Sequence, residues 1–216
     1  MPSLRSPEPE AAPSRGRDDY ARIAAWYDPV TARLLRPLRR RIRDICVEEG
    51  WERILDYGCG TGEQLAMLRD AGLNAHGLDN SPSMLGIAAR RPGERLSLVR
   101  GSFPAPLEDD GFDAVILSLV LHESVSGPTA LLRDALRLAP RALILEWRMP
   151  ERNLDYPGQL ITHAIERLAG KEHYRRFRKF AASGWLRGAA YECGARLVRE
   201  EAAAGGVLVL ALAEKN

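Results

Sequence analysis

The sequence predicts an α/β protein, a doubly wound and mainly parallel seven-stranded sheet closed by a C-terminal antiparallel hairpin. Three observations predict it. Short apolar runs alternate with stretches of helical periodicity between residues 53 and 147. One of those runs ends in a cluster of glycines from which a helix starts directly. The last two apolar runs are separated by Gly205-Gly206, the mark of strands that fold back on each other.

The elements follow in order. Residues 1–17 hold Pro2, Pro7, Pro9 and Pro13 among Ser, Glu and Arg without an apolar period, and read as a disordered segment ahead of one domain over 18–216. Helical cover is expected from 18–50 and from 150–190. Ile23, Trp26 and Tyr27 have helical spacing. Leu34, Leu35, Leu38, Ile42, Ile45 and Cys46 then recur at steps of three or four, which predicts an amphipathic helix over 31–50. Arg33, Arg36, Arg40 and Arg43 form its solvated face, and Pro37 marks a start or a kink. Residues 53–57 read as a first strand and 62–71 as a helix stopped by Gly72. Residues 75–79 are a second strand, and 81–90 a helix opened by the cap pair Ser81-Pro82. Residues 96–100 give a third strand. The fourth, 112–121, is nearly all apolar, as in a strand covered on both faces. A helix over 129–139 ends at Pro140, and a fifth strand covers 142–147. A polar helical region over 153–188 precedes the hairpin strands 196–201 and 207–213.

Composition narrows the function. Lys plus Arg number 31 against 29 for Asp plus Glu, a net charge of +2, which argues against a globally basic protein that coats nucleic acid. No apolar run approaches the ~20 residues of a membrane span. The first residues lack the apolar stretch of a signal peptide, so a cytoplasmic protein is expected. Cys46, Cys59 and Cys193 form no CxxC pair, and no metal site is suggested.

The most informative stretch is Ile54-Leu-Asp-Tyr-Gly-Cys-Gly-Thr-Gly62. Glycines at 58, 60 and 62 allow a tight turn and a close approach of backbone to ligand, and the helix beyond offers free N–H groups. Glu63 stands where a dinucleotide fingerprint needs glycine, and no phosphate-loop lysine follows. Asp56 can hold a cationic amine. Asp79, at the end of the second strand, sits where a ribose-binding acid belongs. A ligand with a ribose, an ammonium and a carboxylate fits better than one with a pyrophosphate.

Leu55-Asp-Tyr-Gly-Cys-Gly-Thr-Gly62, His76-Gly-Leu-Asp-Asn-Ser-Pro-Ser-Met-Leu85 and Gly111-Phe-Asp-Ala-Val-Ile-Leu-Ser-Leu-Val-Leu-His122 resemble three successive motifs of the class I S-adenosylmethionine-dependent methyltransferases, a Rossmann-like family. Tyr20-Ala-Arg-Ile-Ala-Ala-Trp-Tyr-Asp28 is similar to the opening of their ubiquinone/menaquinone-biosynthesis (type 11) group. The resemblance implies S-adenosyl-L-methionine as cofactor and S-adenosyl-L-homocysteine as product. Asp56, Gly58, Gly60 and Gly62 would hold the methionine end, and Asp79 both ribose hydroxyls. Asn80 and Met84 would flank the adenine. Ser102 and Phe103, where the family usually has an acid, would close its far side. Leu117 would lie beside the sulfonium.

Such an enzyme need only align an acceptor with the methyl group, so a small-molecule O, N or C acceptor is expected. A general base matters only where the acceptor loses a proton. His122, ending the fourth strand, is the candidate, with Glu123 following; the plain alternative is a loop histidine held by backbone hydrogen bonds. Cys59 reads as a small loop residue, not a nucleophile, and His163 as solvent-exposed. Residues 171–180 read as a basic amphipathic helix with an aromatic stripe, or as a lid over the acceptor. Tyr20 and Tyr27 in the N-terminal cover, Trp147 and Arg148 after the fifth strand, and Tyr174 are candidate acceptor contacts. The basic stretches 33–43 and 171–179 raise an RNA methyltransferase as a rival. The balanced charge and the lack of an Asn/Asp-Pro-Pro-Tyr/Phe motif after the fourth strand oppose it. A non-catalytic cofactor-binding module is another reading, and a nicotinamide-dependent oxidoreductase is disfavoured by Glu63. A monomer or homodimer is expected.

Overall fold

Seven strands form one sheet in the order β3-β2-β1-β4-β5-β7-β6. They are β1 (Arg53–Tyr57), β2 (Asn74–Asp79), β3 (Ser97–Arg100), β4 (Ala114–Ser118), β5 (Arg141–Trp147), β6 (Arg196–Ala203) and β7 (Leu208–Glu214). The computed structural model describes residues 18, 20, 21, 24–93, 96–149, 160, 162–164, 166, 167 and 170–216, without the side chains of 25–27, 30, 32 and 33. Residues 1–17, expected to be disordered, lie outside the described residues. So do most of 150–169, where helical cover was expected.

The first five strands pair in parallel, and β7 runs antiparallel to both β5 and β6. The β4 and β5 segments are buried along almost their whole length, as the unbroken apolar run at 114–117 requires of a strand with helices on both faces. β6, at the sheet edge, alternates half-buried with exposed residues, the period of a strand with one wet face.

The helices are α1 (Ala24–Glu48), α2 (Glu63–Asp70), α3 (Pro82–Ala88), α4 (Pro128–Leu138), α5 (Lys171–Ala182) and α6 (Trp185–Cys193). Ser81 caps α3, its side chain accepting from the Met84 amide at 3.1 Å. Gly72 has φ +84° just past α2, a conformation that favours glycine and stops the helix. Among the described residues no helix is long and apolar enough to cross a membrane.

Three sequence expectations are corrected. The region 20–50 is one helix from residue 24, running through Pro29 and Pro37. Each proline removes a backbone donor, and the buried stripe Leu35, Ile42, Ile45 and Cys46 holds the helix against the core. The fourth strand stops at Ser118, because Leu119 takes φ +58° and turns the chain out of the sheet. The helical region up to 188 is broken at Ser183-Gly184: Gly184 has φ +88°, and a new helix runs to Cys193.

Candidate functional site

Where β1 is flanked by β2 on one side and β4 on the other, the direction of sheet growth reverses. In open α/β sheets that reversal opens a crevice outside the C-terminal strand ends. The loop 58–62 lies there. The Gly58 and Cys59 amides both donate to the Leu78 carbonyl, at 2.7 and 3.1 Å, and the Gly62 amide donates to the Cys59 carbonyl at 2.9 Å. Gly58, Gly60 and Gly62 have φ of +86°, +52° and +75°. A Cβ at Gly58 would sit 2.4 Å from Val120 and one at Gly62 2.8 Å from Leu96, whereas a Cβ at Gly60 would meet nothing within 4 Å. Gly58 and Gly62 let neighbours close in; Gly60 faces open space that a ligand can enter. Cys59 is buried, and burial pushes its thiol up, which agrees with a packing residue.

Two acids flank this loop. Asp56 is 1% exposed, and its Oδ2 has no hydrogen-bond partner. Burial raises its carboxyl to about 7, against the pull of Arg39 and with a further push from Asp79. A buried carboxylate oxygen without a donor is costly unless something cationic satisfies it. Asp79 accepts from the Gly60 amide on Oδ2 and from the Ser81 amide on Oδ1, both at 2.8 Å. Its burial raises its carboxyl in spite of those amides. Each of its oxygens keeps a second lone pair for a hydroxyl donor. These residues fit a ligand with an ammonium and a ribose.

The N-terminal segment crosses the same edge. Asp18 accepts from the Ser81 hydroxyl at 2.9 Å and the Ser83 amide at 3.0 Å. The Tyr20 hydroxyl donates to Glu123. Asp28 takes the Thr61 hydroxyl at 2.7 Å and pairs with Arg91, whose Nε reaches the Thr61 carbonyl at 2.6 Å. Behind the loop, Arg39 and Arg36 bind Glu63 in an ion pair with Arg39 and Glu63 both buried.

The other expected cofactor contacts divide. Asn80 is exposed beyond β2, and Ser102 and Phe103 are exposed after β3, with Phe103 at 37%. Met84 is buried in the first turn of α3. Leu117 is fully buried in register with Ile144, one residue before the end of β4. Val120, packed on Gly58, takes the position facing the loop.

Past the ends of β4 and β5 the fold assembles a buried network. His122 is 4% exposed, with Nδ1 at 2.7 Å from Glu146 Oε1 and Nε2 at 3.5 Å from Glu166 Oε1. His173 Nε2 lies 2.7 Å from Glu166 Oε2, and its Nδ1 lies 3.5 Å from Glu123 Oε2. The Trp147 indole donates to Glu166 Oε1 at 2.7 Å. Burial alone would lower the His122 imidazole, but Glu146, with Glu166 and Glu123 behind it, raises it to about 9.

The remaining candidates surround this network. Tyr20 reaches it through Glu123 and Trp147 through Glu166. Arg148 has its guanidinium beside Gly206. Tyr174 hydrogen-bonds His163 at 3.0 Å and stacks on Phe177, so His163 is half-buried instead of solvent-exposed. The Tyr27 side chain lies outside the described residues. Residues 171–180 form the expected helix with an aromatic stripe, Phe177 and Phe180 being core residues of α5, while His173 faces the network. Sequence reasoning missed Glu146 and Glu166. A lone acid inside Ala142-Leu-Ile-Leu-Glu-Trp147 was a signal that could have found the first. A groove of about 600 Å³ lined by Trp51, Arg53, Phe112 and Pro140 lies at the opposite, N-terminal edge of the strands.

A family model described as a methyltransferase domain matches residues 55–142. Malonyl-[acyl-carrier protein] O-methyltransferase of Serratia marcescens is 29% identical over 158 residues, covering 73% of this chain and 60% of that protein. Demethylmenaquinone methyltransferase of Thermus thermophilus is 34% identical over 122 residues, covering 53% of this chain and 56% of that protein. The match thus spans little more than half the length of these curated relatives. An O-methyltransferase family protein from Burkholderia thailandensis superposes with a TM-score of 0.68 at 18% identity, over 90% of this chain and 60% of that one. That likeness shows the fold.

Proposed function

We propose, from a chain that belongs to the S-adenosylmethionine-dependent methyltransferases, that it transfers a methyl group from this cofactor to a small-molecule acceptor. The observation that carries the reading is the unpartnered, buried Asp56 carboxylate oxygen beneath the open loop at Gly60, with Asp79 ending the neighbouring strand. Asp56 would meet the ammonium of the methionine moiety, the 58–62 loop its backbone, and Asp79 the ribose hydroxyls. The bound cofactor supplies an activated methyl on a good leaving group.

The chain's own task is alignment, worth roughly 7–11 kcal/mol when reacting atoms are held in line. The acceptor side is the region past β4 and β5, where Tyr20, Trp147, Arg148 and Tyr174 are proposed contacts. His122 there acts as a positioning residue, held on Glu146 at 2.7 Å. The relatives named above act on a carrier-bound malonyl group and on a quinone precursor, by their names, which supports a small acceptor.

The test is calorimetry with S-adenosylhomocysteine. The wild type should bind, and Asp79→Ala should weaken binding by at least tenfold, with methyl release measured on an acceptor panel. Absence of wild-type binding ends the reading. Binding with no turnover on any acceptor would point to a non-catalytic module.

A further inference from the structure

Three carboxylates, Glu123, Glu146 and Glu166, and two imidazoles, His122 and His173, converge in a largely buried space among α5, the end of β4 and the end of β5. So much negative charge out of water demands cations. Each imidazole uses one nitrogen on a carboxylate at 2.7 Å: His122 Nδ1 on Glu146 and His173 Nε2 on Glu166. Each leaves its other nitrogen 3.5 Å from the next carboxylate oxygen, too long for a good hydrogen bond. Two donor atoms about 2.1 Å from one tetrahedral ion stand roughly 3.4 Å apart, close to the 3.5 Å between His173 Nδ1 and Glu123 Oε2. A ligand atom from each of His122, Glu123 and His173 lies within 4.8 Å of the others.

A second observation points the same way. Glu166 Oε2 is buried, yet its contact with His173 is not an aligned hydrogen bond, so it is imperfectly satisfied. Carboxylates behind metal-bound imidazoles fix which nitrogen faces the ion, and Glu146 and Glu166 stand in that relation to the two histidines.

We propose that His122 Nε2, His173 Nδ1 and the Glu123 carboxylate form a site for a divalent transition-metal ion of the zinc type. Two nitrogens and one oxygen suit such an ion better than calcium or magnesium, which prefer all-oxygen sets. The Tyr20 hydroxyl donates to the Glu123 carboxylate. Asp56, Asp79 and the glycine loop supply none of its ligands.

The test uses the full, untagged chain freed of metal by a chelator. Calorimetry with zinc chloride should show one equivalent bound. Glu123→Gln and His173→Gln, both at partly exposed positions, should weaken it at least tenfold. Glu166→Gln should weaken it about 10- to 100-fold, as removal of an orienting carboxylate does. X-ray absorption of the zinc-loaded wild type gives a readout free of variant folding. Two imidazole nitrogens near 2.0–2.1 Å with oxygen completing the shell are expected. No binding, sulfur near 2.3 Å, or affinity unmoved in the first two variants overturns the proposal. S-Adenosylhomocysteine binding that persists in that event leaves the methyltransferase reading standing.

Discussion

Asp56 shows how one side chain can hold two functions in tension. Its folded-state carboxyl lies at about 7, above the ordinary 3.8, chiefly through burial. The folded chain therefore keeps this proton where the unfolded chain has lost it. Its contribution to stability falls as pH rises from about 4 to about 7 and stays low above that. Asp56→Asn removes the titration. Urea melts at about pH 5 and pH 8 should show the wild type losing stability relative to the variant across that interval, while the variant binds S-adenosylhomocysteine more weakly at both. Parallel stability curves would show that Asp56 does not titrate there. Both its place before the glycines and its partnership with Asp79 were legible, because strand, turn and helix are contiguous and the acid ends the next strand. Its lack of a donor was not legible, since a missing contact has no residue pattern.

Among the elements, α1 carries the clearest lesson. Its apolar stripe was readable from the spacing of Leu35, Leu38, Ile42, Ile45 and Cys46, because packing against a sheet imposes a helical period. The buried arginine was not. Arg36 is solvent-facing as read and reaches Glu63 on α2 from the surface at 3.4 Å, but Arg39, which the spacing did not single out, is buried on the same acid. A long side chain can hide its stem and deliver its charge to a partner far along the chain, which no local pattern marks. Removing one partner of a buried ion pair leaves the other charge stranded. Arg39→Leu should cost about 3 kcal/mol in denaturant melts, the low end for such a loss because Arg36 remains. The double variant Arg39→Leu/Glu63→Leu should recover most of that. If the single and double variants are equally destabilised, packing of the arginine stem, not the charge, holds α1 to α2. The breaks at Leu119 and Gly184 escaped pattern reading for a different reason. Leu119 adopts a left-handed conformation that only tertiary contacts sustain, and Gly184 was one glycine inside a helical run.

Across the whole molecule, the network of His122, Glu123, Glu146, Glu166 and His173 draws on three distant stretches of chain, so spacing could not reveal it. The same holds for Asp18, Tyr20 and Asp28, which make three distant contacts, on Ser81 and Ser83, on Glu123, and on Thr61 with Arg91. Of these, Asp28 bears on the glycine loop, through the Thr61 hydroxyl and through Arg91, which also holds the Thr61 carbonyl. Thr61 lies between Gly60 and Gly62, so its restraint limits the loop that would carry the cofactor. Asp28 and Arg91 are partly solvated, at 26% and 21% side-chain exposure, and the central strands are packed without them. Asp28→Ala should therefore loosen one region without unfolding the rest. Hydrogen exchange followed by mass spectrometry should rise together in 24–30 and 58–64, stay unchanged in β4 and β5, and fall back when S-adenosylhomocysteine is added. Its affinity should drop severalfold, while the melting temperature moves by no more than about 4 °C, the shift of a ~1 kcal/mol change in a chain of this size. Faster exchange throughout β4 and β5 would make Asp28 a determinant of global stability. Unchanged exchange at 58–64 would mean that the loop holds its shape without Asp28.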